Sequence, residues 1–149
     1  MTQTISLAIE SRPECIELLS CAVQGLCRLA GLSAADIAKI ELAVVEAVNN
    51  ALEHAYRNQP GHLIVVEFQL AAGRVSLLVR DGGEAMDPQK LATEEFVEPD
   101  PASPETWHMR GRGLTIIKSC VDSVEYQVRD GVNTLAMSRT RGDSGPQSD

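Results

Sequence analysis

The sequence predicts an α+β fold, a two-layer sandwich of mostly antiparallel sheet with helices on one face. Three observations predict it: two amphipathic helical segments follow one opening strand, an alternating strand pair with a tight turn comes next, and a second such pair closes the chain. With 149 residues, 44% of them hydrophobic and 23% charged, the chain suits one domain with its own core. We expect that domain to span residues 1–139 and residues 140–149 to form a disordered tail.

The first part of the chain supplies one strand and two helices. Residues 3–9 alternate between apolar and polar side chains, which predicts a half-buried strand. Ser11 has the capping position of the first helix, which we expect to end at Gly31. Ser33 can cap the second helix, whose apolar stripe continues to about residue 56.

The second part supplies four strands and further helical turns. Residues 62–70 and 74–80 read as a hairpin joined by a short Ala-Ala-Gly connection. A short helix is expected in 89–96 and another helix in 114–121. The last two strands flank a turn at 129–132, which makes a final hairpin.

Residues 94–106 are acidic and rich in proline. Such a stretch is too polar to pack in a core and too long for a plain connection. We therefore expect a mobile lid there.

Composition excludes several classes of partner. A net charge of −8 disfavours direct binding to nucleic acid, which depends on clustered Lys and Arg. No apolar run is long enough to span a bilayer and the N-terminus lacks the pattern of a secretory signal, so we expect a cytoplasmic protein without a membrane partner. The four cysteines lack metal-site spacing, which favours buried free thiols.

The stretch "EAVNNALEHAY", residues 46–56, carries an unusual polar stripe. On a wheel of about 100° per residue, one face of the helix collects two amides, two carboxylates and an imidazole, from Glu46, Asn49, Asn50, Glu53 and His54. Asn is a poor residue for a helix interior. One interpretation is an ordinary solvated face. The other is the wall of a site, because an amide oxygen can ligate Mg²⁺ and a carboxylate one turn away can accept a hydroxyl proton.

Two glycine-containing motifs follow. In "RDGGEAMDP", residues 80–88, Asp81 can accept a hydrogen bond from an exocyclic amine and the glycines allow a flat ring to approach the backbone, although a plain turn has similar residues. In "MRGRGLTII", residues 109–117, two glycines and two arginines precede a helix whose free N–H groups can receive phosphate. It is neither a P-loop nor a dinucleotide fingerprint.

Together, in this order, the three motifs resemble those of the GHKL-type, histidine-kinase-like ATPases with a Bergerat-type fold, and within them those of the anti-sigma-factor serine/threonine kinases. That family has an N-box of E-x-x-x-N followed by A-x-x-H-A/G-Y, which residues 46–56 match. The resemblance covers about residues 3–138. It implies Glu46 as the general base, Asn50 as the Mg²⁺ ligand and Asp81 as the adenine-binding aspartate.

The resemblance also implies the remaining nucleotide contacts. Gly83 is the first glycine of the D-x-G-x-G box, and Ala85 stands where the pattern has its second glycine. The expected ATP-binding residues are Asn49, Asn50, His54, Asp81, Gly83, Met86, Arg110, Gly111, Arg112, Gly113 and Leu114.

The same resemblance implies an ATP- and Mg²⁺-dependent kinase that works as a homodimer. Such a kinase would phosphorylate a STAS-type antagonist protein and sequester a sigma factor or another output protein. A histidine-kinase module would carry a helix pair with a phosphorylatable His before the N-box, for which few residues are present, so we expect transfer to Ser or Thr. Two alternatives remain at this point: a nucleotide-dependent switch that binds a partner without phosphorylating it, and a small interaction domain that binds no nucleotide.

Overall fold

The computed structural model describes residues 2–93, 102 and 113–142. A strand and two helices come first, and the second helix continues into a five-residue π-helical turn, Ala51–Ala55. The elements are β1 Gln3–Glu10, α1 Pro13–Leu29, α2 Ala34–Asn50, β2 Leu63–Ala71, β3 Arg74–Asp81, α3 Pro88–Thr93, α4 Gly113–Cys120, β4 Ser123–Arg129 and β5 Val132–Thr140. The predicted elements are thus present in the predicted order.

The five strands form one sheet in the order β1-β2-β3-β5-β4, and every neighbouring pair is antiparallel. Gly73 in the β2–β3 turn has φ +70°, a conformation that favours glycine. The β4–β5 turn has positive φ at both Asp130 (52°) and Gly131 (75°), as the primed turns of two-residue hairpins require. The antiparallel α+β architecture is confirmed.

The core lies between the sheet and the helices. Alternate residues of the two central hairpin strands are buried, and the apolar stripe of α2 contributes the buried side chains that pack in the same cluster. The buried residues of these three elements include Ile40, Val44, Val48, Ile64, Val66, Phe68, Val75, Leu77 and Val79. This packing fixes the polar edge of α2 relative to the end of β3.

The two predicted helix caps have different outcomes. Ser33 accepts a hydrogen bond from the backbone N–H of Asp36 at 3.1 Å, which confirms the cap of α2. Ser11 does not cap α1, so that prediction is wrong. Its buried hydroxyl instead donates to the Gln59 carbonyl at 2.7 Å and accepts from the His62 N–H at 3.1 Å. The Ser11 hydroxyl thus pairs backbone groups of the loop before β2. The start of α1 is exposed, so its free N–H groups can bond water instead.

An ion pair joins the start of α2 to the end of the sheet. The Arg139 Nη2 lies 2.8 Å from Asp36 Oδ1, and Arg139 Nη1 donates to the carbonyl of Cys120 at the end of α4. Burial alone would raise the pKa of Asp36, but hydrogen bonds from Arg139 and Ser33, the Arg139 charge and the Gly142 N–H outweigh it and hold the pKa below its usual range. Arg139 therefore ties α2, α4 and β5 together.

Strand β5 extends one residue past the domain boundary expected at residue 139. Thr140 is the last residue of β5, and the Arg141 N–H donates to the Gly73 carbonyl at 2.9 Å. The rest of the expected tail, 143–149, lies outside the described residues, as does the expected lid at 94–106 apart from Ala102. Among the helices that are described, none has the length and apolar character needed to cross a bilayer.

Candidate functional site

A cavity of about 740 Å³ opens between the end of α2, the end of β3 and the start of α4. Its walls contain residues from all three sequence motifs. The predicted nucleotide-binding residues that line it are Asn50, His54, Asp81, Met86, Gly113 and Leu114. The fold therefore brings the three motifs to one place, as the sequence predicts.

The π-helical turn shapes one wall of this cavity. The Tyr56 N–H donates to the Ala51 carbonyl at 3.0 Å, one residue further back than in an α-helix. Ala55 is the last residue of the turn, so its carbonyl has no partner within the helix and accepts from the Glu84 N–H at 2.9 Å. Residues after Asn50 therefore depart from the regular helical wheel, and His54 reaches the cavity wall with an exposed side chain.

Glu46 and Asn50 lie on successive turns of α2, next to the first residue of α4. A Cβ built on Gly113 would lie 3.0 Å from Asn50 Oδ1 and 3.2 Å from Glu46 Oε2. The two side-chain oxygens therefore converge on one point at the start of α4. Burial, and then the negative charge of Glu53, raises the pKa of Glu46, which makes this carboxylate a better proton acceptor.

Asp81 ends β3 with one carboxylate oxygen bound and the other available. Its Oδ1 accepts from Asn133 Nδ2 at 2.7 Å and from the Gly83 N–H at 3.0 Å. Burial raises the pKa of Asp81, and these two hydrogen bonds oppose the rise. Within the described part of the chain, Oδ2 has no hydrogen-bond partner, so it can accept a bond from a ligand amine in the cavity.

Gly83 is required by a close approach of two backbone segments. A Cβ at this position would lie 2.4 Å from the Ala55 oxygen and 2.6 Å from the Ala55 carbonyl carbon, closer than real side chains come. The glycine lets the loop after β3 rest on the π-helical turn, where the Glu84 N–H bonds Ala55. Gly83 thus supports the position of Asp81 without lining the cavity itself.

Two tyrosines hold the same loop. The Tyr56 hydroxyl accepts from the Gly82 N–H at 2.7 Å and donates to the Leu63 carbonyl at 2.8 Å. The Tyr126 hydroxyl accepts from the Met86 N–H at 2.8 Å. Because Tyr126 and Met86 both line the cavity, this bond fixes part of the wall against which a ligand would lie.

The side chains fit a Mg-nucleotide by their donor chemistry. The Asn50 amide makes no hydrogen bond to any described residue, which leaves its oxygen available as a hard-cation ligand. Nowhere in residues 2–93 or 113–142 do three His, Cys, Asp or Glu side chains group to hold a metal by themselves. Such a site suits Mg²⁺, which protein sites usually bind through one or two side chains together with substrate phosphates and water.

Other predicted site residues have different outcomes. Asn49 is half-buried and is not among the residues that line the cavity. Arg110, Gly111 and Arg112 lie outside the described residues, so their phosphate contacts stay predictions.

Sequence reasoning missed Asn133, which bonds both Asp81 and, at 3.1 Å, the Gly83 carbonyl. It is 3% exposed and lies directly opposite Asp81 in the β3–β5 register. The signal was present in the sequence. In β5, Asn133 shares the alternating inward face with Leu135 and Met137, so it is the polar residue on an apolar face.

Comparisons with known proteins identify the family of the chain. The chain matches the family described as "Histidine kinase-like ATPase domain" over residues 9–139. It is 30% identical to the serine-protein kinase RsbW of Bacillus licheniformis over 150 residues, covering 95% of this chain and 90% of that protein. It is 27% identical to the serine-protein kinase RsbW of Listeria innocua over 139 residues, covering 91% of this chain and 86% of that one.

Two solved structures share the fold. The structure of the RsbU and RsbW domains of Rv1364c from Mycobacterium tuberculosis matches with a TM-score of 0.66 at 20% identity, over 93% of this chain; this chain spans 32% of that one. In the SiaB-SiaC complex from Pseudomonas aeruginosa, one chain matches with a TM-score of 0.60 at 14% identity, covering 89% of this chain and 88% of that chain. On its sequence match and its fold, the chain belongs to the histidine-kinase-like ATPase family and, within it, to the group of the RsbW anti-sigma-factor kinases.

Proposed function

We propose that this protein is an ATP-dependent serine/threonine protein kinase that phosphorylates an antagonist protein and also acts as an anti-sigma factor. One observation carries the catalytic part of the proposal. The oxygens of Glu46 and Asn50 converge beside Gly113, and Asn50 and Gly113 line the same cavity as Asp81, whose Oδ2 is available. A metal ligand and an amine acceptor therefore share one cavity, and the base lies one helical turn from the metal ligand.

Each of these residues has a defined role in the proposed transfer. Asp81 Oδ2 accepts a hydrogen bond from the exocyclic amine of adenine, while Asn133 and the Gly83 N–H keep Oδ1 occupied. The free N–H groups at the start of α4, which begins beside Asn50, would receive phosphate oxygens. Asn50 would hold Mg²⁺, which when bound neutralises phosphate charge and orients the transferred group.

Glu46 accepts the proton of the incoming hydroxyl. Its raised pKa, caused by burial and by the charge of Glu53, suits a base that must take up a proton near neutral pH. Binding alone would not need a carboxylate at this position. Glu46 therefore favours the kinase over a switch that only binds nucleotide.

The proposed partners follow from the family. RsbW kinases are among the relatives of this chain. We propose a STAS-type antagonist as the phosphorylated protein, a sigma factor or similar output protein as the sequestered one, and a homodimer as the working form in the cytoplasm. The net charge of −8 fits protein partners better than nucleic acid.

Replacement of Glu46 by Gln tests the catalytic role. Gln keeps the shape and the hydrogen-bonding reach of the side chain but cannot take up a proton. We expect phosphate transfer from radiolabelled ATP to a purified antagonist to fall by about 10² to 10⁴ fold. ATP affinity, measured in parallel by calorimetry, should stay near the wild-type value.

The matched control is Glu125→Gln, the same chemical change at an exposed residue of β4 outside the cavity. It should transfer phosphate at the wild-type rate. Unchanged transfer by Glu46→Gln would exclude the base role. ATP binding without transfer by the wild-type protein, for any candidate antagonist, would favour the non-catalytic switch.

A further inference from the structure

Arg57 has an unusual backbone conformation directly after the π-helical turn. Its φ is +51°, in the left-handed region that favours glycine. In the part of the chain that the structure describes, the other residues besides glycine with positive φ are Asn58 and Asp130, and Asn and Asp tolerate this conformation better than longer side chains do. Glycine is also the usual residue where a chain leaves a helix in this way. An arginine at this position is therefore favoured by its side chain and not by its backbone.

The Arg57 side chain lies at the rim of the nucleotide cavity, where Glu84 holds it. Its Nε and Nη2 both donate to Glu84 Oε2, at 3.1 and 2.6 Å, and both residues line the cavity. The Glu84 backbone N–H bonds the Ala55 carbonyl, so the loop that carries the carboxylate is held as well. Two donors of one guanidinium on the same oxygen restrict the orientation of its plane.

The stability of the fold does not account for this ion pair. The side chains of Arg57 and Glu84 are 73% and 59% exposed, and an ion pair in such surroundings contributes little to stability. That contribution is no larger than the usual cost of a left-handed conformation at a residue other than glycine. A contact between the Arg57 guanidinium and a ligand in the cavity explains the arrangement better.

The inner walls of the cavity are apolar, in contrast to its charged rim. They are formed by buried side chains of the helices and the sheet, namely Ala47, Ala51, Val79, Leu114 and Leu135. An adenine ring whose exocyclic amine donates to Asp81 Oδ2 would pack one face against such side chains. Its other face would be directed toward the rim, where Arg57 lies.

We propose that the Arg57 guanidinium, oriented by Glu84, stacks on the outward face of the adenine ring of the bound nucleotide. A guanidinium is planar and weakly hydrated, so it packs well on an aromatic face, and its charge is attracted to the ring electrons. Arg57 is then a nucleotide-binding residue, and Glu84 is a positioning residue that acts through it. The inference rests on the ATP binding proposed above and adds a contact to the base.

A ligand without phosphates separates stacking from attraction between charges. Arg57→Lys keeps the positive charge and loses the planar group, so the affinities for ATP and for adenosine should fall by the same factor, about tenfold. Calorimetry measures the ATP affinity, and displacement of a bound fluorescent ADP analogue measures that of adenosine. Arg12→Lys is the matched control, because Arg12 pairs with Glu10 at 3.1 Å on an exposed surface outside the cavity. It should leave both affinities unchanged.

Arg57→Gly separates binding from folding. Glycine adopts the left-handed conformation readily and the exposed ion pair contributes little, so the Tm should equal or exceed that of wild type. The adenosine affinity should fall at least as far as it does in Arg57→Lys. A lower Tm for Arg57→Gly would identify Arg57 as a structural residue and overturn the inference.

Glu84→Gln tests the positioning role. A neutral amide holds the guanidinium less firmly than a carboxylate, so the adenosine affinity should fall by about threefold. In the Arg57→Gly background the same change should have no further effect, because no guanidinium is left to orient. Equal losses in the two backgrounds would show that Glu84 acts independently of Arg57.

The remaining outcomes distinguish this contact from the proposed function. A wild-type protein that binds no ATP would overturn the proposed function together with the contact. ATP and adenosine binding at wild-type affinity by Arg57→Lys and Arg57→Gly would overturn the contact alone. A loss confined to ATP, with adenosine unaffected, would also overturn the stacking, because it would place Arg57 at the phosphates.

Discussion

Replacement of Gly83 by Ala should displace the loop that follows Asp81 from the π-helical turn. The new methyl carbon would lie 2.4 Å from the Ala55 oxygen, 2.6 Å from its carbonyl carbon and 2.8 Å from its Cβ. Two of these three atoms are backbone, so the contact cannot be relieved by rotating a side chain. The loop must move away from the π-helical turn, and the hydrogen bond from the Glu84 N–H to Ala55 then breaks.

The cost can be worked out from these contacts. Overpacking of this kind costs about 1–3 kcal/mol, and the lost hydrogen bond adds about 1 kcal/mol. For a chain of this length, a total of about 2–4 kcal/mol corresponds to a fall in Tm of roughly 5–15 °C. Because the Gly83 N–H bonds Asp81 Oδ1, displacement of the loop should also weaken ATP binding by about tenfold or more.

The neighbouring glycine is a matched control. A Cβ on Gly82 would meet only the Tyr56 hydroxyl at 3.8 Å and the Gly131 carbonyl at 3.9 Å, which are ordinary contacts. Gly82→Ala should therefore keep the wild-type Tm or exceed it slightly, because alanine restricts the unfolded chain. Thermal unfolding and calorimetric titration with Mg-ATP measure both variants. Equal Tm values and equal ATP affinities for Gly82→Ala and Gly83→Ala would refute the close-approach argument.

Two further predictions concern buried polar pairs. Asn133→Leu removes a hydrogen-bond donor to Asp81 Oδ1, so calorimetry should show an ATP affinity about tenfold lower than that of wild type. Loss of this bond also raises the pKa of Asp81 further, so the difference in affinity should grow as pH falls. An affinity equal to wild type at every pH would contradict this role. Asp36→Asn leaves Arg139 without its carboxylate and should cost about 3 kcal/mol of unfolding free energy at pH 7. The pKa of Asp36 is lower in the folded than in the unfolded protein, so its carboxylate stabilises the fold above the unfolded pKa of about 3.9. This stabilisation is lost as pH falls through the folded pKa. Denaturant titrations should therefore give converging unfolding free energies for Asp36→Asn and wild type in acid.

The regular elements could be predicted because their signals are local. Alternation in β2 and β3, the Ser33 cap of α2 and the Asp130-Gly131 turn each depend on a few neighbouring residues, and the structure has them where the sequence indicates. Ser11 shows the limit of such signals. Its spacing predicts a cap, yet its hydroxyl bonds the loop at Gln59, 48 residues away, a contact that no local pattern contains.

The site was predicted in its residue types and only partly in its geometry. A wheel of regular helical pitch placed Glu46 and Asn50 on one face, and both lie beside Gly113. Glu53 and His54, which the same wheel places on that face, line the cavity as well, although the chain widens there into a π-helical turn that the sequence does not signal. Asn49, which the wheel also places on that face, does not line the cavity. The partnership of Asn133 with Asp81 could be read only from the pairing of β3 with β5, which requires the register of the sheet.

The adjacent asparagines of α2 show how the site and the fold depend on each other. Asn in a helix interior costs only about half a kcal/mol relative to a better helix former, and the packed stripe of α2 can offset that. The residue at the start of α4 is more restricted than the asparagines, because α4 begins within contact distance of Asn50 and Glu46. Gly113 has no positive φ, so its conformation alone does not demand glycine. Space favours glycine here, since a Cβ would lie 3.0 Å from Asn50 Oδ1 and 3.2 Å from Glu46 Oε2, and both side-chain ends would have to shift to make room for it. Gly113 thus allows the start of α4 to lie close to Glu46 and Asn50 of the N-box.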